Sequence, residues 1–205
     1  SPDWVRFSLD LLGGKGPVGE FRYAPLIGPD ILTGILTRVT GQSVLDFAKE
    51  RLFAPLGIPV EQSITFRSRE ELMAFYESTD LRVWAADPMG VNAGGWGLTL
   101  SPMDLAKLGQ LYLDGGIWNG QRLVSERWVR ESTAEQSRWA ERDLPYGYLW
   151  WVLPQGHGFA AMGDGGNALY VSPDKNLVAA ITSRFQPRVK DRIELIRTYV
   201  APCFD

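Results

Sequence analysis

Cysteine and histidine are nearly missing from this sequence. Cys203 is the only cysteine and His157 the only histidine among 205 residues. An intrachain disulfide is excluded, and so is a metal site built from several cysteines or histidines. A lone cysteine leaves the redox compartment, and with it the localisation, unassigned. No apolar run approaches the roughly 20 residues that a membrane-spanning helix needs. Lysine and arginine are scattered without a basic run, and the net charge is −3 with a pI near 5.3. Nothing in that balance favours nucleic acid or an anionic membrane surface as a partner. The chain opens on Ser1 rather than methionine, so an upstream segment is expected.

What is present is ordinary globular composition. Hydrophobic residues make up 45% and charged residues 22%, which is enough apolar surface for a substantial core and too little charge for disorder. The eight tryptophans, seven tyrosines and nine phenylalanines read first as packing residues.

Punctuation divides the chain. Asp3 to Leu12 reads as a helix ended by Gly13-Gly14. Ile31, Leu32, Ile35, Leu36 and Val39 repeat at helical spacing, with Gly41 closing the run. Ser43 and Asp46 resemble a capping box for a second helix to about Phe53, stopped at Pro55-Leu56-Gly57. Ile64 to Arg67 suits a short strand and Glu70 to Tyr76 a helical turn. Asp87 to Gly97 reads as a loop. Ser101-Pro102-Met103-Asp104 is a helix start, because serine caps, proline suits the first turn and aspartate complements the dipole. Ser125 begins another helix. Beyond Pro145, Tyr146 to Leu153, Ala168 to Ser172 and Leu177 to Ser183 carry strand composition. Pro173 to Asn176 is turn chemistry joining the last two. Val189, Ile193, Ile196 and Val200 mark one face of a closing helix. Helices followed by an antiparallel meander and a final helix make an α+β layout.

Several catalytic patterns fail on context. GxGxxG occurs at Gly14, Gly16 and Gly19, but it follows a helix and contains Pro17, unlike a dinucleotide site. His157, between Gly156 and Gly158, has no third group in sequence to orient it as a base and reads as an exposed loop residue. Asp87, Asp104, Asp114 and Asp143 are accounted for by caps and turns.

Two long segments, FRYAPLIGPDILTGILTRVTGQSVLDFAKERLFAPLGI (21 to 58) and GGWGLTLSPMDLAKLGQLYLDGGIWNGQRLVSERWV (94 to 129), resemble the class C β-lactamase, D-alanyl-D-alanine carboxypeptidase and esterase family. YGYLWWV and MGDGGNALYVSPDKNLVAAITS extend the resemblance over nearly the whole chain. It implies a partial β-lactamase-like, penicillin-binding transpeptidase-like α+β fold. Residues 1–140 are then a helical region carrying a tyrosine motif, and residues 141–205 antiparallel strands plus a C-terminal helix. Together they are expected to form the C-terminal part of one bacterial serine hydrolase domain. The implied substrate is a small ester, amide, β-lactam or peptide-like molecule, with no cofactor and no metal.

The family's chemistry uses a Ser-x-x-Lys nucleophile on a helix, a Tyr-x-Asn motif and a Lys- or His-x-Gly triplet on a core strand. The resemblance places the second at Tyr23-Ala24-Pro25, making Tyr23 a proton shuttle and removing the amide that asparagine would supply. Without the resemblance, Tyr23 reads as a packed tyrosine. The third falls at Asp164-Gly165-Gly166 with Asn167 following. These four residues are the implied oxyanion and substrate-binding group, with the Asn167 N–H as donor. As residues alone they read equally as a tight turn. An acid in place of the cation disfavours anionic substrates, so a complete enzyme is expected to prefer neutral or cationic esters and amides. Ser172-Pro173-Asp174-Lys175 matches the first motif only in letters, since it lies in the hairpin turn and after the Asp-Gly-Gly segment. The nucleophile is therefore expected outside this chain, and the chain alone is expected to be inactive. The losses at Pro25 and Asp164 keep a non-catalytic ligand- or partner-binding relative open. A sheet lacking its opening strands exposes an edge, from which self-association is expected.

Overall fold

Most helices begin where a serine or aspartate side chain accepts a backbone N–H that the helix itself cannot satisfy. The computed structural model describes residues 1–12, 16, 17, 19–184 and 188–204. The Gly13-Gly14 helix stop and the first glycine of the GxGxxG pattern lie outside the described residues. The chain divides into two compact units, Ser1–Leu100 and Ser101–Asp205.

In the first unit, α1 (Trp4–Leu11) is capped by Asp3, whose carboxylate accepts the Arg6 N–H at 2.8 Å. Helix α2 (Ile27–Thr40) ends at Gly41, which takes the left-handed conformation at φ 69°. Its apolar repeat does not face inward: Leu32, Ile35 and Val39 are 54%, 53% and 79% exposed, while Asp30 and Thr33 are buried. Ser43 caps α3 (Val44–Ala48) by accepting the Asp46 N–H. The helix runs past Phe53 through a π turn (Lys49–Phe53) into α4 (Ala54–Leu56) and stops, as expected, at Pro55-Leu56-Gly57, where Gly57 takes the left-handed conformation at φ 62°. Pro55 is tolerated there because it sits in the first turn of α4. The first strand lies earlier than the composition suggests: β1 (Gln62–Ile64) pairs in parallel with β2 (Val83–Ala85). Between them α5 (Arg69–Glu77) is a full helix capped by Ser68. Phe53, Leu56, Val60, Val83 and Ala85 form the buried interior.

In the second unit, α6 (Pro102–Leu113) opens with a complete capping box between Ser101 and Asp104. A small hairpin, β3 (Ile117–Trp118) and β4 (Gln121–Arg122), leads to α7 (Glu126–Ser132). A six-stranded antiparallel sheet follows in the order β10-β9-β8-β7-β6-β5. Its strands are β5 (Ser137–Trp139), β6 (Leu144–Tyr146), β7 (Trp151–Val152), β8 (Phe159–Gly163), β9 (Asn167–Ser172) and β10 (Leu177–Ile181). The stretch expected as one strand, Tyr146 to Leu153, is instead a hairpin. Gly147 N–H bonds the Trp150 carbonyl at 2.8 Å, and Leu149 adopts φ 65°. The chain closes with α8 (Arg192–Leu195), which continues as a π turn over Ile196–Val200 and a 3₁₀ turn over Ala201–Phe204.

Alternation along β9 fixes how this unit packs. Ala168 and Tyr170 join Ile193, Ile196 and Ala201 of the closing helical run in one apolar cluster. Leu169 and Val171 join Trp150, Phe159 and the α6 residues Leu105, Leu108 and Tyr112 in another. The sheet is therefore covered on both faces, which is why β9 is buried almost throughout. Gly109 of α6 lets the helix approach: a methyl group there would lie 2.6 Å from Val178 Cγ1 and 2.8 Å from Leu169 Cδ1.

Candidate active site

Tyr23 belongs to the first unit, on the extended stretch that delivers the chain into α2. The side chain is 38% exposed. The stretch is held from behind by Gly94 and Gly95. A side chain on Gly95 would collide with the Pro25 carbonyl, and one on Gly94 with the Pro29 carbonyl. Asp30 completes the clamp, its carboxylate accepting the Gly94 N–H at 2.8 Å. Burial holds this carboxyl above its ordinary value of 3.8, against the lowering effect of the backbone N–H groups of Gly94 and Gly95, while the nearby Asp87 adds to the rise. The glycine pair, some seventy residues further along the chain, and the buried Asp30, seven residues on, thus position the tyrosine's segment.

Asp164, Gly165, Gly166 and Asn167 come together in the second unit as the turn from β8 into β9. Gly165 and Gly166 have φ of 80° and 96°, conformations that side chains other than glycine rarely adopt. The Asp164 carboxylate is exposed while Gly165 and Gly166 are buried. Asn167 locks the turn from both sides. Its amide nitrogen donates to the Asp164 carbonyl at 3.2 Å, and its amide oxygen accepts the Ser183 N–H at 2.9 Å. The Ser183 hydroxyl donates to the Gly165 carbonyl. These bonds fix the backbone of a glycine turn that would otherwise have wide conformational freedom.

One charged residue at this turn carries no sequence motif. Arg192, the first residue of α8, has its guanidinium against Gly166, where a side chain would lie 3.1 Å from Arg192 Nε. That Nε is buried and makes no hydrogen bond among the described residues. Only the fold brings it to the turn. A basic residue in the first turn of a C-terminal helix reads in sequence as a surface charge.

The other sequence candidates resolve plainly. Ser172 is the buried last residue of β9 and Lys175 stands in the following turn, so this Ser-x-x-Lys is not on a helix. Asp87 and Asp104 serve a turn and a cap, as expected: Asp87 accepts the N–H groups of Met89 and Val91, and Asp104 completes the α6 capping box. His157 is not a free loop residue but half-buried, lining a cavity in the second unit. Among the described residues, no helix is long and apolar enough to cross a membrane.

Comparison with known proteins agrees with this architecture. The Beta-lactamase family model matches residues 14–201, and the chain belongs to that family. The 6-aminohexanoate-dimer hydrolase of Paenarthrobacter ureafaciens is 29% identical over 175 residues, which cover 80% of this chain and 39% of the relative. A penicillin-binding protein homolog from Caulobacter crescentus superposes with a TM-score of 0.63 at 18% identity, over 90% of this chain and 59% of that one. Simvastatin synthase from Aspergillus terreus does so with a TM-score of 0.55 at 16% identity, over 85% and 52%. The chain thus spans about two fifths of the curated relative's length, and the structural likenesses fix the fold alone.

Proposed function

We propose that this chain supplies the tyrosine and oxyanion-turn portion of a serine hydrolase that cleaves linear amides or esters through an acyl-enzyme. The observation that carries the reading is the family match, which contains both Tyr23 and the Asp164–Asn167 turn. In this reading a serine hydroxyl, activated by a lysine, adds to the substrate carbonyl. The Tyr23 phenol relays the proton to the departing amine or alcohol, and the Asn167 N–H faces the oxyanion that forms. Water then repeats the addition, releasing the acid and restoring the serine. The serine and lysine lie outside these 205 residues, so the chain by itself is inactive.

The turn also carries a substrate preference. Asp164 would repel a carboxylate, but Arg192 sits against Gly166, two residues away. Opposite charges at one turn favour a substrate with polar or oppositely charged ends over a simple anion. An amide of the 6-aminohexanoate-dimer kind, as in the name of the Paenarthrobacter relative, has that character. Assay of the full gene product with this dimer and with a neutral p-nitrophenyl ester, alongside covalent labelling by a fluorophosphonate, tests the reading. Turnover of either substrate with labelling of a serine supports it. Absence of both would leave the non-catalytic binding module, which the substitutions at Pro25 and Asp164 favour.

A further inference from the structure

The chain holds four asparagines, Asn92, Asn119, Asn167 and Asn176, and the fold treats them unequally. Asn92 is 1% exposed, and its amide is engaged at both ends, accepting the Leu45 N–H and donating to Ser63 Oγ. Asn167 is engaged at both ends in the β8–β9 turn, and the buried Ala168 follows it. Asn176 is followed by the buried Leu177, which opens β10.

Asn119 differs on each count. Asn119 and the Gly120 that follows it are both exposed. Among the described residues no hydrogen bond reaches the Asn119 amide or the Gly120 N–H. A Cβ placed on Gly120 would meet nothing within 4 Å, so the space around that backbone nitrogen is open. The pair forms the tip of the β3–β4 hairpin, with φ of 47° and 79° between the paired Trp118 and Gln121. This is the two-residue type I′ loop that an Asn-Gly pair favours.

We propose that Asn119-Gly120 is a site of self-modification, where the Gly120 nitrogen displaces ammonia from the Asn119 side chain and water then leaves an aspartyl or isoaspartyl residue. Hydroxide removes the Gly120 N–H proton, and the nitrogen adds to the Asn119 side-chain carbonyl carbon. A C–N bond forms, the old amide C–N bond breaks, and ammonia departs with a proton from water. Water then opens the five-membered ring at either carbonyl. Opening at the side-chain carbonyl gives aspartate, and opening at the main-chain carbonyl gives isoaspartate. One water is consumed, one ammonia is released, and nothing is oxidised or reduced. The site gains one negative charge.

The hairpin gates this reaction. Ring closure needs Cβ and the Gly120 nitrogen on the same side of the Asn119 Cα–C bond, which a type I′ turn, with ψ near about 30° there, does not allow. The turn must therefore open first. Strands β3 and β4 are two residues each, and so short a ribbon has little stability of its own. The exposed Arg122 tethers it, its Nη1 donating to the Gly115 carbonyl at 2.8 Å and the Val124 carbonyl at 3.2 Å. The two products also differ in fit. Aspartate tolerates positive φ and keeps the turn, whereas isoaspartate adds a main-chain atom between Trp118 and Gln121 and spoils their pairing.

Each asparagine falls on a different tryptic peptide, so each reports separately. The folded chain is held in mildly alkaline buffer, digested at intervals and weighed. The peptide spanning Asn119 should gain one mass unit before the other three change, and should accept methyl groups from a protein isoaspartyl methyltransferase. Asn119→Gln should abolish the early gain, and Arg122→Ala should speed it severalfold with the circular dichroism unchanged. A first gain at Asn92, Asn167 or Asn176, an Asn119 peptide unchanged over weeks, or a product the methyltransferase does not accept would each overturn the site. A folded Arg122→Ala chain that converts at the parent's rate would overturn the gate.

Discussion

Asp30 and Asp87 are buried carboxylates that hold backbone rather than substrate, and each has a measurable signature. Burial raises the Asp30 carboxyl above its ordinary value, so the folded chain keeps that proton to higher pH than the unfolded chain does. The stabilising contribution of this group is complete below the unfolded value and is lost as pH rises through the folded one. Asp30→Asn has no such proton to lose. Urea unfolding from about pH 4 to pH 7 should therefore show the parent chain losing stability relative to the variant as pH rises, and a constant gap would refute the assignment. The role proposed for Tyr23 predicts a catalytic signature instead. In the complete gene product, Tyr23→Phe should lower kcat about 10²- to 10⁴-fold with little change in unfolding midpoint, the range for loss of a proton-transfer group. Arg192 shows where residue-level reading ends. The resemblance singled out Tyr23 and the Asp164–Asn167 turn as candidates because both sit inside motif-bearing segments, whereas Arg192 reaches Gly166 only through the fold.

Elements with chemical punctuation were legible in the sequence. Helix α6 has serine, proline and aspartate in the right places and forms a full capping box. The β9–β10 hairpin has its Pro173 to Asn176 turn, with Asn176 at φ 48°. Elements without punctuation were not. Strand β8 reads FAAMG, which has little strand propensity, and it forms because both of its neighbours and both faces of the sheet enclose it. Helix α2 was legible as a helix but not in orientation, since a 3.6-residue period marks an apolar stripe without saying what the stripe faces. The α6–sheet contact gives this scale its own prediction. Gly109→Ala would gain helix propensity of about 1 kcal/mol, but its methyl group would press on Leu169 and Val178. Overpacking of this kind costs about 1–3 kcal/mol, so the variant should unfold at lower denaturant than the parent. A higher midpoint would show that the contact can relax.

For the whole molecule, β10 and β5 terminate the sheet among the described residues. The unpaired N–H and C=O groups of such an edge recruit further strands. The apolar stripe of α2 adds exposed surface of the kind that drives association. The purified 205-residue chain should therefore show a mass that rises with concentration in light scattering. A strict monomer up to about 10 mg/ml would count against the edge and the stripe as sticky surfaces.

Asp87 also bears on the order in which the chain assembles. Besides the Met89 and Val91 N–H groups, its carboxylate accepts the Trp4 N–H at 3.0 Å, across 83 positions of sequence. The two near bonds close a five-residue turn at small entropic cost, while the far one must wait until a long loop has been drawn in. The turn is thus formed early and offers a finished acceptor to which α1 attaches late. Besides this bond α1 packs against α2, with Val5 beside Gly34, so the Asp87 bond is one of two anchors that hold the helix. Its amides should exchange with deuterium through local opening, faster than those of α6, and Asp87→Ala should accelerate the α1 exchange while leaving α6 nearly unchanged.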